Sequence, residues 1–211
     1  MYTLYYSPGA ASMAVHLVLI ETGAPFKLAR VDFGRDEQHG EEYRKLNPRG
    51  QVPTLVVDGR PYFESAALVM LLAERHPEAG LAPPPGSALR ADWYQWFAFL
   101  ASSVGPVFRL WFYPTDLGTP EHPPAQRAAL QSKIESAWSL VDAHLAAAGP
   151  YLLGAGFSAV DLYALMYMRW SRNMPRPVTA WPALRDYADR LRARPSWKRL
   201  YEVEGLTEWL A

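Results

Sequence analysis

The chain has 211 residues, half of them apolar, with 21 basic and 21 acidic side chains that balance to zero and no cysteine. A chain of this length buries one large core or two modest ones, and the lack of cysteine excludes disulfide staples, cysteine–metal clusters and any protein thiol nucleophile. The balanced charge, without a basic run interleaved with aromatics, argues against a nucleic-acid partner, and no apolar run is long enough to cross a membrane.

Met1-Tyr2-Thr3-Leu4 runs directly into a β-prone segment, Tyr2 to Tyr6, with no basic, apolar and small-residue sections of a secretory signal. A soluble, cytoplasmic protein is therefore expected. Ser7-Pro8-Gly9 is turn chemistry, and Ser12 through Ala14, Val15, Leu17, Val18, Leu19 and Ile20 reads as a buried helix ending at Gly23. Phe26 to Phe33 reads as the next strand. Pairing it parallel to the first, with the helix as a right-handed crossover, puts the Ser7 to Ser12 loop at a strand's carboxyl end, a position ligands favour in open α/β sheets.

A further helix is optional before Asn47-Pro48-Arg49-Gly50-Gln51-Val52-Pro53-Thr54-Leu55. Pro53 lacks a backbone donor and stands at the entrance of the strand Thr54 to Val57, so it leaves a free backbone edge. An extended peptide could pair there with the N–H and C=O of Val52, aimed outward by a cis Val52-Pro53 bond. Asp58-Gly59 is a two-residue hairpin turn into Pro61-Tyr62-Phe63. Glu64-Ser65 opens a helix reaching His76, with Ser65 as its expected N-cap. Such a helix end binds a carboxylate and the adjacent Glu64 takes an ammonium, which together suit a zwitterionic amino-acid head. The same residues also fit an ordinary hairpin and capped helix.

Pro77 to Ser87 is rich in Pro and Gly and reads as a linker. Beyond it, Ala88 to Leu100 carries Trp93, Trp96, Phe97 and Leu100 on one helical face until Gly105-Pro106 kinks or ends the helix. An aromatic cluster, Val107 to Tyr113, precedes a proline-rich break and a helix from Ala125 to Ala148. Phe157-Ser158-Ala159-Val160-Asp161-Leu162 is a capping box: Ser158 caps the next helix, Asp161 reaches back and Phe157 can staple onto Leu162. Two more helix starts follow at Trp181-Pro182 and Arg194-Pro195. His16, His39, His76, His122 and His144 show no i, i+4 pairing, so no metal site is expected.

Tyr5-Tyr6-Ser7-Pro8-Gly9-Ala10-Ala11-Ser12, Asn47 to Pro53 and Glu64-Ser65, in that order and spacing, resemble the soluble glutathione transferases, and most closely the bacterial beta-type members. The resemblance runs through the whole chain. It implies an α/β plus all-α protein. Residues 1–77 form a thioredoxin-like βαβ-α-ββα domain that binds glutathione, 78–87 the linker, and 88–211 an all-helical domain with a hydrophobic substrate pocket. It further implies a homodimeric detoxification enzyme that uses glutathione as co-substrate. Val52, Pro53, Glu64 and Ser65 would hold the peptide, with Gln38 on its glycine carboxylate.

The chemistry so implied is activation of a bound thiol by hydrogen-bond donors and a helix dipole at the sulfur. Beta-type members carry a cysteine where this chain has Ala11, and insect-type serine enzymes carry serine about where it has Ala10. Ser12 is the hydroxyl left at the expected helix end and the first candidate for the catalytic group, with Tyr6 and Ser7 next; Ser12 also fits a plain N-cap. Gly105 and Pro106 stand where beta-type members often carry a histidine. Related isomerases, dehalogenases and non-catalytic ligand-binding or protein-binding modules share the scaffold.

Overall fold

A computed structural model of the chain describes residues 1–210. They form two compact units, one of Met1–Pro84 together with the residues from Leu191 onward, the other of Pro85–Arg190.

In the first unit the alternating segment Tyr2–Tyr6 forms β1, with Leu4 wholly buried. It pairs parallel with β2 (Phe26–Arg30) through the crossover helix α1 (Ser12–Thr22), and antiparallel with β3 (Thr54–Val57). β3 turns through Asp58 and Gly59, both at positive φ as a tight hairpin requires, into β4 (Arg60–Phe63). The sheet order is β2-β1-β3-β4. β2 is shorter than the expected strand to Phe33, because the Asp32 carboxylate accepts the Gly34 N–H at 2.9 Å and winds Phe33–Arg35 into a 3₁₀ turn. The optional helix is present as α2 (Glu41–Leu46), whose Tyr43 packs with Val31, Val52, Tyr5 and Ala10. α3 (Ser65–Arg75) lies against α1, whose residues Ser12 to Leu19 are all buried.

The second unit is helical. α4 (Leu89–Phe99) passes through a wide π turn, Leu100–Val104, into α5 (Gly105–Phe112). This is how the chain accommodates Pro106: the helix changes pitch and continues. Gly105 is required there, since a Cβ would lie 2.5 Å from the Tyr167 hydroxyl oxygen. α6 (Pro124–Ala148) and α7 (Ala159–Trp170) complete the core around Trp93, Phe97, Phe108, Trp138 and Tyr163. α8 (Pro182–Arg192) follows.

α7 is buried from Ala159 to Arg169, and its start has the expected capping box. Asp161, with no exposed surface, accepts the Ser158 N–H at 2.7 Å, the Leu152 N–H at 3.0 Å and the Tyr187 hydroxyl at 2.6 Å. Burial pushes the Asp161 carboxyl up, and these bonds recover only part of the shift. Phe157 lies edge-on to Tyr151, 5.6 Å between ring centres.

The last helix, α9 (Pro195–Glu204), packs on α1 of the first unit, whereas the resemblance implies one helical domain over 88–211. Arg194 and Ser196 at its start bind Glu21 of α1, the arginine through both nitrogens at 2.7 and 2.8 Å. Burial raises the Glu21 carboxyl, but the bonds from Arg194 and Ser196 outweigh it and leave the group below its ordinary value.

Candidate active site

Three segments of the first unit carry the residues singled out from the sequence. The first is the turn from Tyr6 to Ser12, at the carboxyl end of β1. The Ala10 N–H closes onto the Ser7 carbonyl at 3.1 Å, and Gly9 takes a left-handed φ of 73°. Ser12 is wholly buried; its hydroxyl donates to the Ser7 carbonyl at 3.2 Å and accepts the Ser7 N–H at 3.3 Å. Its oxygen therefore faces the turn. Ala11 occupies the N-cap position and Ser12 is the first helical residue. The hydroxyls of Tyr6 and Ser7 make no hydrogen bond among the described residues.

A brace that the sequence did not reveal holds this turn from below. The Gly9 N–H donates to Glu204 Oε2 at 2.9 Å, and Glu204 Oε1 lies 2.8 Å from His16 Nδ1. Both side chains are almost completely buried, and the Tyr6 ring lies 6.1 Å from the His16 ring. Gly9 and Glu204 are 195 residues apart, so no local pattern links them.

The second segment is Asn47 to Pro53. The Gln51 carbonyl accepts two bonds of 2.7 Å, from the Tyr43 hydroxyl and from Asn47 Nδ2, while the Tyr43 oxygen lies 2.8 Å from Thr54 Oγ1. Burial lifts the Tyr43 phenol above its ordinary value. Asn47 Oδ1 accepts the Arg49 N–H, an Asx turn that folds the loop back. Gln51 and Thr54 are thus fixed on either side of Val52-Pro53. The Val52-Pro53 bond is cis, and the N–H and C=O of Val52 have no partner among the described residues.

The third segment is Glu64-Ser65. Glu64, not Ser65, stands at the N-cap of α3, with φ at 73°; Ser65 is the first helical residue. The Glu64 carbonyl already accepts the Leu68 N–H, so the helix begins one residue earlier than side-chain chemistry suggests. A left-handed glutamate is uncommon and costs about 1 kcal/mol or more. The Glu64 carboxylate pairs with the Arg49 guanidinium, joining the second and third segments at a half-exposed surface. Gln38 stands in the 3₁₀ turn Glu37–His39, its backbone carbonyl beside Gly50 of the second segment, and its amide donates to Asp36 at 2.9 Å.

Residues 10–75 match the family model for the glutathione S-transferase N-terminal domain, and 124–190 match that for the glutathione S-transferase C-terminal domain. A glutathione S-transferase of Escherichia coli O157:H7 is 30% identical over 96% of this chain and 98% of its own length. The chain belongs to the glutathione S-transferase family. Among solved structures, a sphingomonad glutathione S-transferase complexed with glutathione is 32% identical with a TM-score of 0.86, covering 97% of this chain and 100% of that one. A beta class glutathione S-transferase of Sphingomonas chungbukensis is 31% identical with a TM-score of 0.84 over the same shares. Glutathione is the co-substrate of the family, and the second and third segments lie wholly within the matched N-terminal domain. No helix among the described residues is long and apolar enough to cross a membrane.

Proposed function

We infer that this glutathione S-transferase conjugates the glutathione thiolate to small hydrophobic electrophiles. The observation that carries the reading is the unpartnered N–H and C=O pair of Val52, held rigidly between Gln51 and Thr54 and adjoining in sequence the loop that reaches Glu64. A peptide in extended form pairs with both Val52 groups, its ammonium goes to Glu64, and its free α-carboxylate goes to the amino end of α3 at Ser65. Arg49 gives up Glu64 to the ammonium as the head group enters. Gln38 would serve the glycine carboxylate once its amide leaves Asp36.

The sulfur then lies at the Ser7 to Ser12 turn. Thiolate is the reactive species, and donors at the amino end of α1 favour it. Ser12 contributes by shaping the turn through both backbone groups of Ser7, which leaves the hydroxyls of Ser7 and Tyr6 as the donors that meet the sulfur. We further infer a cytoplasmic homodimer, with equilibrium sedimentation at micromolar concentration as its check.

The alanines at positions 10 and 11 favour a second reading, a protein that binds glutathione without activating it. Ultraviolet absorbance of bound glutathione thiolate against pH separates the two. Conjugation requires a thiol pKa below that of free glutathione, raised by about one unit, roughly 1.4 kcal/mol, in Ser7→Ala or Tyr6→Phe with affinity nearly intact. Binding with an unshifted thiol leaves the binding protein, and no binding sinks both readings.

A further inference from the structure

α2 is a helix of six residues that buries one side chain, Tyr43. A helix so short has no stability of its own, so the placement of α2 rests on what Tyr43 holds. The ring packs with Val31 and Val52, and Tyr5 and Ala10 pack against the same cluster. The hydroxyl has a single proton, which goes to the Gln51 carbonyl at 2.7 Å; the Thr54 hydroxyl, 2.8 Å away, is then the donor to the phenol oxygen. Burial raises the phenol, so the proton stays in place throughout the neutral range.

The Gln51 carbonyl and the Val52 N–H belong to one peptide unit. That unit is trans, the cis bonds among the described residues being Val52-Pro53 and Gly149-Pro150. A trans peptide is planar, and its N–H points opposite to its C=O. With the oxygen clamped by Tyr43 and by Asn47 Nδ2, each at 2.7 Å, the unit is held against rotation and the Val52 N–H is aimed away from α2. An oxygen that accepts two bonds also polarises its amide, which strengthens the N–H as a donor. Val52 supplies neither effect itself, since its N–H and C=O have no partner among the described residues.

We propose that Tyr43 is a positioning residue for glutathione recognition: through the Gln51 carbonyl it sets the direction and the donor strength of the Val52 N–H that pairs with the peptide. The proposal rests on the reading of Val52 given above. Tyr43 acts at one remove, through Gln51.

Calorimetric titration of the full chain with glutathione and with S-methylglutathione, which has no ionisable thiol, tests this on two variants. Tyr43→Phe keeps the ring and removes its half of the clamp. Tyr187→Phe removes a buried phenol oxygen from the second unit, where it donates to Asp161. Both should lower Tm. Tyr43→Phe should weaken both peptides about fivefold, the effect of one hydrogen bond, and move the amide proton resonance of Val52. Tyr187→Phe should leave the affinities and that resonance at their wild-type values. Equal affinity in wild type and Tyr43→Phe overturns the proposal and leaves the reading of Val52 standing. So does equal weakening in both variants, which would make Tyr43 a matter of stability alone. An effect confined to glutathione also overturns it, by assigning Tyr43 to the turn beside Ala10. A wild-type chain that binds neither peptide overturns the reading of Val52 and the proposal with it.

Discussion

Two helix starts in this molecule solve the same electrostatic problem in opposite ways. At the start of α7, Asp161 turns back and accepts bonds from Ser158, Leu152 and Tyr187, all in the interior. At the start of α3, the N-cap residue Glu64 makes no capping bond; it adopts a left-handed backbone and sends its carboxylate outward to Arg49. A helix end carries partial positive charge and donors lacking partners, and something anionic must answer them. Where the chain supplies the answer from its own interior the end is structure, and where it turns its carboxylate away the end is the one to which we assign the α-carboxylate of glutathione. The start of α9 is intermediate, closed by Glu21 reaching across from α1 to Arg194 and Ser196.

The comparison breaks first at Asp161. Asp161→Ala leaves several buried donors unanswered and should lower stability by about 3–5 kcal/mol, read as a large fall in Tm with glutathione affinity of the folded fraction unchanged. An unaltered Tm would remove the distinction between the two ends. Glu64→Gly should do the reverse. Relief of the positive φ leaves stability unchanged or raises it by up to about 1 kcal/mol, while glutathione affinity drops tenfold or more, about 1.5–3 kcal/mol for a lost charged bond. A destabilised Glu64→Gly protein that still binds would show that Glu64 is there for the fold.

Arg194→Gln probes the intermediate case by its pH dependence. The folded-state pKa of Glu21 lies below its ordinary 4.5, so the stabilisation is present above that pH and is lost as pH falls through the folded-state value. The variant should be about 1 kcal/mol less stable at neutral pH, and the difference should close in acid denaturation curves run below pH 4.5. A constant gap across the whole range would mean that the arginine acts through packing alone. The smallest effect is that of Ser65→Ala. With Glu64 at the N-cap, loss of the Ser65 hydroxyl should change stability by less than about 0.5 kcal/mol, against about 1 kcal/mol for a true cap, and weaken glutathione only a few-fold.

Local pattern made most of the fold legible. Period-two strands, the helical spacing of Val69, Leu72 and Ala73, the Asp58-Gly59 turn and the Ser158–Asp161 box all sit where their chemistry predicts. The errors were ones of competition between neighbours. Phe33 is β-prone but the Asp32 side chain captured the backbone first, and Ser65 is a better cap than Glu64 until the turn from β4 fixes the start one residue earlier. What stayed hidden was long-range. Glu204 under Gly9, Arg49 against Glu64 and the Ser12 hydroxyl folded onto Ser7 depend on which surfaces meet, and periodicity carries no information on that.

The return of α9 to the first unit bears on how the protein is made. Translation delivers β1 through α3 first, yet the carboxylate that clamps Gly9 and His16 comes only with Glu204, after the whole of the second unit has been synthesised. Pro85–Arg190 is contiguous and mostly helical, so it can fold while still tethered to the ribosome. Glu204 therefore reaches the turn assigned to the sulfur only after Pro85–Arg190 has been synthesised.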